Sequence, residues 1–323
     1  MLALARHVPA LARLPVVGAF GRELYMADRN LATVSDECGA WDADFGYLLK
    51  PGGCTFSNTE FRTTIHVNSA QLRGAEEDLR AAEIVVLGDS FAMGWGVEER
   101  KTFVSLLATA TGRRVLNAGI ASFGTVRELK LLSRLDLSRL STLVLQFCDN
   151  DYFENAAGAR NAGQLPAFPR EKWEGWVRYN AALRRYWPGR YLVRMVSPRL
   201  ERLFGRKAPE VEPDFKDPAL RKDQVDFFIQ LLEASPVDLS KVDVVVLELN
   251  GRNQDADWFG PMLRDEVRTR GGIRGVRRLD SVDVAPALGA DDFFVLDDHL
   301  NPAGHRKVAA AIQPCLRERP PAR

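Results

Sequence analysis

Short apolar runs alternate with amphipathic stretches through the central and C-terminal parts of the chain. Glu83-Ile-Val-Val-Leu-Gly88 is brief, β-branched and closed by glycine, the pattern of a strand buried on both faces of a parallel sheet. Thr102 to Thr111 follows as a helix, with Phe103, Leu106, Leu107 and Ala110 on one face. Arg114-Val-Leu-Asn117 reads as a second strand, Thr125 to Leu135 as a second helix, and Ser141 to Phe147 as a third strand. Val242 to Leu249 is the fourth strand, and Phe293-Phe-Val-Leu296 is read as a last, short one. A helix then runs from Pro302 to about Leu316, with Asn301 suited to its N-cap and proline to its first position.

Strand and helix repeated in this way imply right-handed crossovers and a parallel sheet covered on both faces. The expected fold is a three-layer α/β/α sandwich around a five-stranded parallel sheet, flavodoxin-like, spanning about residues 81–316. Two regions break the pattern. Residues 1–80 form an irregular leader with short β segments, one of them at Phe61 to Val67. Residues of about 152–235 form a helical insertion between the third and fourth strands. Trp173, Trp176, Leu183 and Trp187 recur there at helical spacing, read first as core packing and second as an aromatic wall of a cleft. Ala208 to Pro218 reads as a loop, and the tail from Arg317 to Arg323 as disordered.

Composition narrows the function. The 323 residues are 46% hydrophobic and 27% charged, with a formal net charge of +1, which leaves no basic excess for nucleic acid. No stretch is apolar enough to span a bilayer, since Arg6, His7 and Arg13 interrupt the best candidate, Leu2 to Phe20. That segment is not read as a signal peptide, so the chain as written is expected in the cytoplasm, or exported if its start lies upstream. Cys38, Cys54, Cys148 and Cys315 form no CxxC pair and have no zinc-like spacing to histidine. They are read as structural or free thiols, with a Cys38–Cys54 disulfide as the alternative in an oxidising compartment.

The chemistry gathers where loops leave the carboxyl ends of the strands, the usual place for active groups in such sheets. Gly88-Asp89-Ser90 follows the first strand, and a serine at a strand-to-helix turn exposes its hydroxyl beside free helix N–H groups. The segment contains no GxSxG elbow, and Gly94 and Gly96 lack the third glycine of a dinucleotide fingerprint. Asn117-Ala118-Gly119 follows the second strand, and Cys148-Asp149-Asn150-Asp151 the third. Near the end, Asp297-Asp298-His299 puts carboxylates beside the histidine that could activate a serine hydroxyl.

Taken together, the order and spacing of these four blocks resemble the SGNH/GDSL hydrolases, from about Ile84 onward. Phe61 to Gly74, with Asn68 and Arg73, also resembles the lead-in of bacterial members associated with surface polysaccharides. The resemblance implies Ser90 as nucleophile, His299 as general base, and the Ser90 N–H, Gly119 N–H and Asn150 side chain as an oxyanion hole. Asp297 is preferred to Asp298 as the orienting acid, although the family's acid more often stands where Leu296 does. Cys148 also departs from the family's glycine. Asp89 is read as bonding the turn and His305 as structural. The implied activity is ester hydrolysis, O-acyl groups of a carbohydrate included, with no metal or organic cofactor. An O-acyltransferase and a non-catalytic binding module are the alternatives.

Overall fold

The computed structural model describes residues 15–316, apart from 186, 188, 191–192, 194–195, 197–213 and 253–254. The tail and most of the loop expected at Ala208 to Pro218 lie outside the described residues. The leader holds a helix, α1 (Pro15–Asp28), and two small antiparallel pairs. The strands β1 (Gly39–Ala40) and β2 (Leu48–Leu49) make the first pair, β3 (Cys54–Ser57) and β4 (Arg62–Ile65) the second. A Cys38–Cys54 disulfide joins the two pairs, so the reading of these cysteines as free thiols is corrected. Sixteen residues separate them, and the spacing alone gave no sign that the chain folds back between them.

The main domain continues with β5 (Ile84–Leu87), α2 (Ser90–Met93), α3 (Phe103–Thr111), β6 (Val115–Asn117), α4 (Thr125–Leu131) and β7 (Thr142–Phe147). Then come α5 (Tyr152–Arg160), α6 (Arg170–Arg184), α7 (Pro218–Glu233), β8 (Leu239–Glu248), α8 (Phe259–Arg270), β9 (Val276–Val282) and α9 (Pro302–Ile312). The sheet order is β6-β5-β7-β8-β9 and every pairing is parallel. Successive residues of β5 face opposite sides. Ile84 and Val86 pack with Phe103, Leu107, Val308 and Ile312 of α3 and α9, while Val85 and Leu87 face the layer built from α4, α7 and α8. The result is a three-layer α/β/α sandwich on a five-stranded parallel sheet.

The fifth strand is not where the apolar pattern placed it. Phe293 to Leu296 makes only an isolated bridge, Phe293 to Leu300, and Val276-Arg-Arg-Leu-Asp-Ser-Val282 occupies the sheet edge instead. An edge strand is covered incompletely, so arginine and aspartate are tolerated there and the run does not look apolar. The helix α7 belongs to the sandwich, since it packs Val225, Phe228, Ile229 and Leu232 into the core between β7 and β8. No helix among the described residues is long and apolar enough to cross a membrane.

Candidate active site

The chain reverses its strand order between β5 and β7, and the loops leaving their carboxyl ends meet there, the usual place for a site in such sheets. Ser90 follows β5 and Asn150 follows β7. Gly88 makes the turn possible: its φ is +151°, and a Cβ there would lie 2.5 Å from the Gln146 side-chain oxygen. That oxygen accepts the N–H groups of Asp89, at 3.0 Å, and Ala92, at 3.3 Å, so β7 anchors the turn of β5. Asp89 caps α2 through the Phe91 N–H at 2.9 Å. From the other side the buried Arg73 guanidinium donates to the carbonyls of Met93, Gly94 and Val97, which secures the far end of the same short helix.

His299 comes from the loop before α9. Its Nε2 lies 2.7 Å from Ser90 Oγ, and its Nδ1 lies 2.5 Å from Asp297 Oδ1. The imidazole is held between two rings, Trp95 stacked at 4.9 Å and 19° and Phe91 at 4.9 Å and 37°. Asp297 is fully buried, whereas the Asp298 side chain is 41% exposed and its carboxylate stands 3.2 Å from Nδ1. Burial alone pulls the His299 imidazole down, but the two carboxylates outweigh it and raise its pKa to about 9. The converse holds at Asp297, where burial is overcome by His299 and Arg29 and the carboxyl stays below its ordinary value.

Several residues around Asp297 carried no signal in the sequence. The Tyr25 hydroxyl of α1 donates to Asp297 Oδ2 at 2.6 Å, and Trp95 Nε1 donates to the same oxygen at 3.1 Å. Arg29 bridges Asp297 Oδ1 at 3.3 Å and Asp298 at 2.9 Å. Glu60 accepts the N–H groups of Val295, Leu296 and Asp297 at 2.6–2.8 Å and so shapes the loop. The leader, expected to pack on the core with short β segments, also supplies the surroundings of the acid. Asp297, Asp298 and His299 offer ligand atoms within 4.8 Å of one another. Arg29 already pairs with both carboxylates, and its charge opposes a cation there.

The three oxyanion candidates fare differently. The Ser90 N–H has no hydrogen-bond partner among the described residues. Asn150 is exposed and spends one N–H on Asp89, at 2.9 Å, which leaves the other available. Gly119 does not present a free donor, because its N–H donates to Asn117 Oδ1 at 3.0 Å. Its lack of a side chain serves packing: a Cβ would lie 2.3 Å from the Met93 backbone nitrogen. Three residues on, Ser122 adopts φ +62° and shares a cavity wall with Trp95. His305 is buried, accepts the Phe103 N–H at 3.1 Å and stacks on that ring. Burial holds its pKa down at about 3, so it stays neutral.

The tryptophan stripe splits. Trp173 is core and donates to the Thr33 carbonyl, while Trp176 is 42% exposed and lines a cavity with Trp95 and Tyr47.

No family model and no curated protein matches the chain. Solved structures do. One is described as a lipolytic protein of the G-D-S-L family from Desulfitobacterium hafniense, 10% identical, with 72% of this chain and 98% of that one covered and a TM-score of 0.37. Another is a carbohydrate esterase whose active site is described as having divergent catalytic and non-catalytic binding functions. It is 13% identical over 74% of this chain and 69% of that one, with a TM-score of 0.41. A third is a carbohydrate esterase family 2 enzyme with a carbohydrate-binding domain from Corynascus thermopiles (Myceliophthora fergusii). It is 15% identical over 73% and 66%, with a TM-score of 0.38. These are distant likenesses and say nothing of this chain's substrate.

Proposed function

We propose that this protein is a serine ester hydrolase of the SGNH/GDSL type that works through an acyl-Ser90 intermediate. One observation carries the reading: Ser90 Oγ, His299 and buried Asp297 stand in hydrogen-bonding series, at 2.7 and 2.5 Å. A serine hydroxyl is a weak nucleophile unless a base takes its proton as it attacks. Here His299 Nε2 removes that proton while Oγ attacks the ester carbonyl, and Asp297 fixes the tautomer and stabilises the imidazolium. The Ser90 N–H and the free N–H of Asn150 hold the developing oxyanion. His299 then protonates the leaving alcohol. Water attacks the acyl-Ser90 carbonyl, gives its proton to His299, and the released serine recovers it.

Substrates of this chemistry are carboxylic esters, with O-acyl groups on carbohydrate the favoured case. An O-acyltransferase would follow the same steps with a sugar hydroxyl in place of water. The test is intact-mass labelling with a fluorophosphonate probe. A single adduct on the wild type and none on Ser90→Ala is expected. A folded wild type that takes no adduct, or a Ser90→Ala variant that still does, overturns the assignment. The Cys38–Cys54 disulfide favours an oxidising compartment over the cytoplasm.

A further inference from the structure

Two cavities beside the site share one wall. The inner one, about 480 Å³, is bounded by Trp95, whose ring lies on His299, and by Ser122. The outer one, about 750 Å³, opens towards Phe45, Phe168 and Lys172. Tyr47, Arg127 and Trp176 line both, so together they form one groove that begins at Trp95, the ring stacked on His299. Its walls come from the leader, from α4 and from α6.

The lining has two characters. Trp176 is 42% exposed and Tyr179 65%, so part of each ring is open to a ligand. A pyranose presents a flat C–H face that stacks on such rings, while its hydroxyls stay in water. The second character is charge. Of the carboxylates that line the groove, Glu154 is paired with Arg127 and Asp44 with Arg134. Lys130 and Lys172 are exposed and have no carboxylate partner among the described residues. Lys172 lies 4.8 Å from the Phe168 ring and 5.5 Å from Trp176, beside the stacking platform. A lipid chain would require an apolar path along the whole groove, and these two ammonium groups interrupt it.

We propose that the groove binds an acidic, O-acylated oligosaccharide, with its acylated unit at Trp95 and its further units over Trp176, where Lys130 and Lys172 meet its negative charges. The proposal deepens the ester-hydrolase reading and rests on it for the reaction, though not for the binding.

Binding is therefore measured on Ser90→Ala, by calorimetry and tryptophan fluorescence, with oligogalacturonate as the acidic probe and a malto-oligosaccharide of equal length as the neutral one. Saturable binding of oligogalacturonate is expected, weakened by at least about tenfold in Trp176→Ala. It should weaken several-fold in the double variant Lys130→Ala/Lys172→Ala, and also with added salt in the unsubstituted Ser90→Ala protein. In an otherwise wild-type background, the same substitutions should raise KM for acetylated polygalacturonate without a matching fall in kcat. No saturable binding, equal binding of the neutral probe, or a preference for long-chain p-nitrophenyl esters that Trp176→Ala abolishes would each overturn the proposal. Failure of the hydrolase reading would show differently, as acidic-glycan binding without any ester turnover.

Discussion

Tyr25→Phe removes one oxygen atom and keeps the ring, so it isolates the contact between the leader and the acid. That hydroxyl donates to Asp297 Oδ2 at 2.6 Å, with both residues buried. Burial first, and the neighbouring Asp297 second, hold the phenol far above its ordinary pKa, so it remains a donor at every accessible pH. A hydrogen bond to a charged group contributes about 1.5–3 kcal/mol. Oδ2 keeps Trp95 Nε1 at 3.1 Å, so the oxygen is not orphaned and the loss should lie near 1.5–2 kcal/mol, roughly 2–3 °C in Tm. The effect on turnover has a definite sign. Without Tyr25, more of the Asp297 charge faces His299 Nδ1, and the imidazolium becomes harder to deprotonate. If a third of the lost energy reaches the imidazolium, the acid limb of kcat/KM moves up by roughly half a pH unit. Thermal unfolding and the pH–rate profile of wild type and variant measure both quantities. An unchanged Tm with an unchanged limb, or a limb that moves down, would refute the reasoning.

Four further outcomes follow from the same geometry. Because His299 must be neutral to act as base and its pKa is raised to about 9, kcat/KM should keep rising with pH well above the ordinary histidine range, to about pH 9. The same shift stabilises the fold fully below about pH 6.5, the unfolded value, and that contribution should fade as pH rises through about 9 in urea titrations. Gly119→Ala places a Cβ 2.3 Å from the Met93 nitrogen and 2.7 Å from the Ala92 carbonyl carbon. It should cost on the order of 1–3 kcal/mol and lower activity by displacing α2, with normal far-UV circular dichroism; full activity would show the packing to be immaterial. Opening the Cys38–Cys54 disulfide, with its separation of 16 residues, should cost about 3 kcal/mol, read as a lower Tm in reductant that a Cys38→Ser/Cys54→Ser variant reproduces without it.

The sheet interior was legible from sequence because β5, β6, β7 and β8 are buried on both faces and so carry runs that few other structures tolerate. The order of the motif blocks was legible for a related reason. Three of them follow β5, β6 and β7, whose carboxyl ends lie side by side in the parallel sheet, whereas the Asp297–His299 block lies in the loop before α9. Ser90, Asn150, Asp297 and His299 were singled out by the order of those blocks and its resemblance to the SGNH/GDSL hydrolases.

What depended on contacts between distant segments could not be read. The edge strand β9 is polar because half of it faces solvent, while Phe293 to Leu296 is apolar because its loop is buried, and periodicity alone exchanged the two. Gly119 looked like an open donor because a sequence does not show that Asn117 turns back on it. Tyr25 lies 272 residues before Asp297, and its hydroxyl finds that carboxylate only once α1 is packed. Local pattern follows from burial, which each strand reports for itself. The surroundings of the acid and the groove beside it arise from pairings among the leader, the insertion and the final loop, and only the folded chain brings these together.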